Sequence, residues 1–178
     1  MNITVFGSGR PQPGDPDYNL AMQLGRMIAQ AGHTVLTGGY VGTMEAVSRG
    51  ANEAGGHVIG VTCEEIENYR AGGANPWVIE EWRCRTLLER LDQLIHKCDA
   101  AMALPGGAGT LTEITLYWNL LIIKATRPKP LVLIGEGWRT VFDEYRRSLG
   151  RYTTDPDWNW LIFAADNALA LQLATNHK

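Results

Sequence analysis

Residues 100–113 read Ala-Ala-Met-Ala-Leu-Pro-Gly-Gly-Ala-Gly-Thr-Leu-Thr-Glu, and this stretch determines the expected fold. The apolar run Ala100–Leu104 predicts a buried strand, and the apolar stretch Ile114–Ile123 predicts a helix after it. Three glycines at a strand-to-helix turn let the backbone approach a ligand closely, and the first N–H groups of a helix have no partner within it. Because the helix N-terminus is also the positive end of its dipole, the stretch predicts a phosphate-binding turn with the Thr110 hydroxyl beside it.

Outside this stretch, short apolar runs alternate with helical patterns. Strands are predicted at 3–6, 34–36, 58–61, 77–80, 100–104 and 131–134, and helices at 18–31, 43–54, 85–97, 110–124, 138–149 and 165–175. The polar, glycine-containing residues 63–76 are interpreted as a loop. The alternation predicts an α/β fold with a mostly parallel sheet.

Glycine turns follow three of the predicted strands. They are Gly7-Ser8-Gly9, Gly38-Gly39-Tyr40-Val41-Gly42 and Gly106-Gly107-Ala108-Gly109. Ligands of such sheets bind beyond the carboxyl ends of the strands, so the convergence of these turns predicts a nucleotide or sugar-phosphate site. The alternative is that the glycines only permit tight turns. Neither the GxGxxG dinucleotide fingerprint nor the GxxxxGK[ST] P-loop is present.

Two charged residues are candidates for chemistry. Glu113 is expected in the first turn of the helix after the third glycine turn, where it either caps the helix or acts on the ligand. A carboxylate beside a phosphate pocket can stabilise an oxocarbenium-like sugar or position a water for glycosidic cleavage. Arg90 lies on the preceding predicted helix and either holds a ligand or is a surface arginine, the reading preferred for Arg83 and Arg85.

Composition limits the possible classes of protein. The 178 residues, 45% hydrophobic and 20% charged, predict a single domain spanning residues 1–178. A net charge of −3 argues against a nucleic-acid partner, and no apolar run approaches the roughly 20 residues of a membrane helix. The N-terminus has no signal-peptide pattern, so the cytoplasm is expected. The three cysteines and four histidines show no metal-ligand spacing, and neither metal nor cofactor is expected.

The segment Pro105–Glu113 resembles the PGGxGTxxE signature of the LOG ("Lonely guy") proteins, which are cytokinin riboside 5′-monophosphate phosphoribohydrolases. The likeness continues in Val5-Phe6-Gly7-Ser8 and in Gly38–Ala46, and covers roughly residues 1–150. Arg90, nine residues before Asp99, stands at the position of the family's catalytic arginine.

The resemblance implies a Rossmann-like three-layer fold with helices on both faces of the sheet, and a homodimer or higher homo-oligomer with its site near the interface. It implies that Arg90 and Glu113 cleave the N-glycosidic bond of an AMP-like nucleotide, giving a free base and ribose 5-phosphate. The 5′-phosphate would be held at the third turn, with the other two turns completing the nucleotide site. The binding residues are thus Gly7, Ser8, Gly38, Gly39, Gly42, Pro105, Gly106, Gly107, Gly109 and Thr110.

Two departures from the family pattern keep other functions open. Leu91 stands where the family often has lysine, and Met44-Glu45 stands where plant-type members have Met-Gly. The second pattern is similar to the related molybdenum-cofactor carrier proteins, which bind a phosphate-bearing pterin without turnover. A non-catalytic carrier, and a structural oligomer with a vestigial site, are therefore the alternatives to the enzyme.

A dimer is also indicated by the residues themselves. The stretch Thr112–Lys124 is apolar on nearly all sides, more than packing one face against a sheet requires. The alternative is a central, fully buried helix.

Overall fold

The computed structural model describes residues 1–69 and 72–176. In this part of the chain seven strands form one sheet, and every neighbouring pair is parallel. The strands are β1 (Asn2–Phe6), β2 (Thr34–Thr37), β3 (Val58–Cys63), β4 (Glu80–Cys84), β5 (Ala100–Ala103), β6 (Leu131–Ile134) and β7 (Leu161–Ala164).

The helices are α1 (Pro16–Gln30), α2 (Thr43–Glu53), α3 (Glu64–Tyr69), α4 (Leu87–His96), α5 (Ala108–Ile122), α6 (Glu136–Leu149), α7 (Asp155–Trp158) and α8 (Asn167–Thr175), with a 3₁₀ turn at Gly150–Tyr152. None of the helices in the described ranges has the length and apolar content needed to cross a bilayer.

The strand order is β4-β3-β2-β1-β5-β6-β7. The chain therefore builds the sheet outward from β1 to β4, then returns to the other side of β1 with β5. Such a reversal opens a crevice between the carboxyl ends of the two central strands, here β1 and β5.

Side chains of the central strands alternate between two cores. Ala100 and Met102 join α1, α2 and α8 on one face, whereas Ala101 and Ala103 join α4, α5 and α6 on the other. Strands β5 and β6 are buried along their whole length, as expected for a parallel sheet covered on both sides. The expected α/β, Rossmann-like three-layer fold is confirmed.

Several predicted elements were wrong. The loop predicted at 63–76 includes the last residue of β3 and the helix α3; residues 70 and 71 of that loop lie outside the described part of the chain. The strand predicted at 77–80 lies instead at Glu80–Cys84, on the edge of the sheet where its polar residues face solvent. The strand β7 was not predicted at all, because its four residues carry no period.

Candidate active site

The three glycine turns follow β1, β2 and β5, which lie side by side in the sheet. The structure brings the first two turns into direct contact and places Leu104, which precedes the third turn, beside them. The Thr43 side chain and the Leu104 Cβ lie next to Gly7, and a Cβ added at Gly42 would overlap the backbone of Ser8 and Gly9. Thr43 ties the first turn to the second, since its N–H and its hydroxyl both donate to the Ser8 carbonyl, at 2.8 and 3.1 Å. The first two turns are therefore joined, and together with the third turn they form the rim of the crevice at this edge of the sheet.

The third turn presents the open start of α5. The helix begins at Ala108, two residues earlier than predicted, with Gly107 as N-cap and no side-chain hydrogen bond to cap it. Residues 105–109 are exposed, and a Cβ at Gly107 or Gly109 would meet no atom within 4 Å. The first N–H groups of α5 thus face open space with the positive end of the helix dipole behind them, an arrangement that favours an anion.

The earlier start of α5 changes the position of Glu113. This residue lies in the second turn of the helix, and α5 has no acidic residue in its first turn. The expected first-turn position of Glu113 was therefore wrong, and the capping alternative falls with it, because no side chain caps α5. Glu113 points inward instead, with only 12% of its side-chain surface exposed.

Glu113 pairs with the predicted catalytic arginine. Arg90 Nη1 lies 3.8 Å from Glu113 Oε1, and both side chains are almost fully buried, so the reading of Arg90 as a surface residue was wrong. Burial raises the pKa of the Glu113 carboxyl to about 7, and the positive charge of Arg90 opposes part of that rise. A carboxyl that titrates near neutrality at a crevice marks a candidate catalytic group.

The helix α4 carries Arg90 on its buried face, where Leu91, Leu94 and Ile95 also lie. Leu87 and Leu88, in the first turn of the helix, are exposed. The helix starts with a capping box, because the Thr86 hydroxyl accepts from Glu89 N and the Glu89 carboxylate accepts from Thr86 N. This cap fixes the end of α4 from which Arg90 projects. Arg83 and Arg85 are exposed, which confirms their interpretation as surface arginines.

Strand β3 and the second glycine turn together hold the Arg90 guanidinium. Arg90 Nε donates to the Val61 carbonyl at 2.7 Å, and the guanidinium lies 5.6 Å from the centre of the Tyr40 ring. A Cβ at Gly38 would overlap that guanidinium and the sulfur of Met44. Gly38 therefore makes room for the arginine, while the assignment of Gly38, Gly39 and Gly42 as ligand contacts stays a prediction.

Sequence reasoning missed Asn75, which lies inside the segment interpreted as a loop. Its side chain is buried, and its amide donates to the carbonyls of Gly39 (3.0 Å) and Tyr40 (2.9 Å). Its backbone N–H also donates to Gly39 O at 2.7 Å. Asn75 thereby fixes the second turn. An asparagine among glycines next to Pro76 is a common loop signal, so nothing in the sequence distinguished it.

The fold and the crevice define a Rossmann-like α/β protein with an open glycine turn at a helix N-terminus and a buried arginine–glutamate pair. The family model described as SLOG cluster4 matches residues 1–123, and the chain belongs to this family.

Relatives and solved structures agree with this membership but carry two different descriptions. The cytokinin riboside 5′-monophosphate phosphoribohydrolase of Rhodococcoides fascians is 32% identical over 85% of this chain and 73% of its own length. A probable enzyme of the same description from Oryza sativa is 36% identical over 68% of this chain, which spans only 50% of that relative. The molybdenum cofactor binding protein of Rippkaea orientalis has a TM-score of 0.74 and 26% identity, covering 97% of this chain and 93% of its own.

Proposed function

We propose that this protein hydrolyses the N-glycosidic bond of an adenine-type nucleoside 5′-monophosphate, releasing the free base and ribose 5-phosphate. The observation that carries the proposal is the buried Arg90–Glu113 pair, with its 3.8 Å separation, in which Glu113 lies on the helix that begins at the open third glycine turn. The cytokinin phosphoribohydrolases at about this level of identity support the same reaction class.

The spacing along α5 suits a ribose 5-phosphate. Glu113 lies five residues beyond Ala108, so its Cα stands about 7.5 Å along the helix axis from the Cα of Ala108. This separation is of the same order as that between a 5′-phosphate and the anomeric carbon of its ribose. A phosphate on the turn would therefore bring C1′ towards Glu113.

In the reaction, the ionised Glu113 carboxylate stabilises the positive charge that develops at C1′ as the bond to the base nitrogen breaks. Water adds to C1′, its proton is released, and the leaving base takes up a proton at the nitrogen. The positive charge of Arg90 lowers the pKa of Glu113 and so favours its ionised form. Glycosidic cleavage needs no metal in this scheme, and no group of three or more His, Cys, Asp or Glu able to hold a metal occurs among residues 1–69 and 72–176.

The test is incubation with AMP and with N6-isopentenyl AMP, followed by chromatography for free base and ribose 5-phosphate. Wild-type protein is expected to release base, with an activity that rises with pH through about 7 as Glu113 ionises. Glu113→Gln is expected to lose at least a hundredfold in kcat. Glu136→Gln, an exposed acidic residue at the start of α6, serves as the matched control. Release of no base from either nucleotide, or full activity in Glu113→Gln, would refute the proposal.

A second candidate function is a non-catalytic carrier of a phosphorylated cofactor. It is favoured by the likeness to the molybdenum cofactor binding protein, which extends over 97% of this chain. For a carrier, a phosphate-bearing pterin is expected to co-purify or to bind tightly without turnover. Mass spectrometry of the purified protein, combined with the AMP assay, separates the two functions.

A further inference from the structure

A cavity of about 310 Å³ adjoins the phosphate turn on the other face of the sheet from Arg90 and Glu113. Its floor is formed by the ends of β5 and β6, at Leu104 and Ile134, and its walls by α1 and the start of α8. Pro105, the first exposed residue of the turn, is part of its lining. The cavity is therefore continuous with the rim that carries the phosphate turn, and the proposed reaction does not use it.

The lining combines apolar walls with two exposed carboxylates and with the polar side chains of Gln23, Thr43 and Asn167. Leu20 and Met27 of α1 line one side, and the Asp17 carboxylate stands in the same wall without a hydrogen bond or ion pair to any described residue. Asp166 uses Oδ1 to accept from Leu169 N at 2.9 Å, which leaves its other oxygen available. Among the described residues that line the cavity there is no lysine or arginine.

This chemistry selects one class of ligand. Two carboxylates without a basic partner repel a phosphate, but they accept hydrogen bonds from amino groups. Apolar walls in a cavity of this volume suit a planar ring. The cavity thus matches an amino-substituted aromatic heterocycle of the nucleobase class.

We propose that the cavity is a second base subsite, so that the protein takes dinucleotide-type ligands in which the phosphate group at the turn carries a further nucleoside. This inference rests on the phosphate site of the proposed function. One nucleoside lies towards Arg90 and Glu113, and the second passes over Pro105 into the cavity. A simple nucleoside monophosphate leaves the cavity empty.

The test compares P¹,P²-di(adenosine-5′) diphosphate with ADP by calorimetry, since both carry a diphosphate and only the first carries a second base. The dinucleotide is expected to bind at least tenfold more tightly. Ala168→Trp fills the cavity from an exposed position on α8 and is expected to abolish this gain while leaving the affinity for ADP within twofold. Ala125→Trp, exposed beyond the other end of α5, is the matched control and keeps the gain. Asp17→Asn is expected to reduce the gain several-fold.

Equal affinity for the two ligands, or a gain that survives in Ala168→Trp, overturns the inference. Cleavage of AMP by the wild-type protein is measured in parallel. Cleavage without a gain refutes the second subsite alone, whereas a cavity-dependent gain without cleavage supports the subsite and refutes the hydrolase. Absence of binding by both ligands refutes the phosphate site and the inference with it.

Discussion

Glu113 combines a functional position with a cost in stability. Its pKa in the folded protein is about 7, above the ordinary 4.5, because the carboxyl is buried. As pH rises, the Glu113 carboxyl therefore ionises in the unfolded chain before it ionises in the folded protein, which favours unfolding. The stability that is present below pH 4.5 is lost progressively as pH rises through 7. The complete loss in the free energy of unfolding is about 3 kcal/mol.

Glu113→Gln is accordingly expected to be more stable than the wild type at pH 8, with the difference in the free energy of unfolding vanishing near pH 4.5. Urea unfolding at both pH values measures this, and Glu136→Gln should show no comparable dependence. A difference that stays constant between the two pH values would contradict the assigned pKa.

Gly38 affects the Arg90–Glu113 pair because it lies directly against the Arg90 guanidinium. In Gly38→Ala the new methyl group overlaps the Arg90 guanidinium, which must move away from Glu113. The variant is expected to lose most of its activity at a cost of about 1–3 kcal/mol in stability. Because Arg90 then lowers the Glu113 pKa less, the pH–rate profile should also shift to higher pH. Gly137→Ala, with no atom within 4 Å of the added Cβ, is the control. An unshifted profile would show that Arg90 keeps its place.

At the scale of elements, the second glycine turn depends on Asn75. Asn75→Ala removes the side-chain donor of two buried carbonyls and is expected to destabilise the protein by about 1–3 kcal/mol. The turn that supports Arg90 should loosen as well, so kcat is expected to fall more than stability alone explains. Urea unfolding and AMP assays under conditions where the variant is folded test this, with the exposed Asn159→Ala as control. Wild-type kcat in the folded variant would mean that Asn75 has no positioning role.

The secondary-structure elements also show which parts of the fold can be predicted from the sequence. Strands β1, β2, β3, β5 and β6 were predicted because continuous apolar runs between glycines are typical of a parallel sheet. Edge strand β4 could not be placed, since Glu80 and Glu81 face solvent and carry no apolar signal. Helix α3 was missed because its six residues are mostly polar, although Glu64 and Glu65 suit a helix start. Within the site, Arg90 and Glu113 were found by motif, whereas Asn75 owes its role to contacts distant in sequence.

At the scale of the whole molecule, the strand order explains why the short segment 100–113 is central to both the fold and the candidate site. The reversal between β1 and β5 puts the third glycine turn at the centre of the sheet edge. From there α5 runs along one face with Glu113, and the acid-lined cavity opens on the other. The two faces of the same edge thus offer different electrostatics to a ligand: a buried arginine–glutamate pair lies on one side, and two carboxylates without a basic partner in the cavity lining lie on the other.

The fully buried reading of α5 was wrong, and its exposed side supports the expected homodimer. Leu111 of α5 is 38% exposed and Ile123, directly after the helix, is 61% exposed, and a groove of about 370 Å³ continues from Trp118 to Val141 and Tyr145 of α6. We propose that a second copy of the chain covers this groove, because exposed apolar surface of this kind is characteristic of an interface.

Light scattering at low micromolar concentration is expected to give about twice the chain mass of 19.6 kDa for the wild type. Val141→Asp, which places a charge in the groove at a residue that is 47% exposed, should give the single-chain mass without loss of fold. Leu169→Asp, exposed at 38% on α8 across the sheet, should leave the dimer intact. A monomeric wild type would refute the dimer, and a dimer that withstands Val141→Asp would place the interface on another surface.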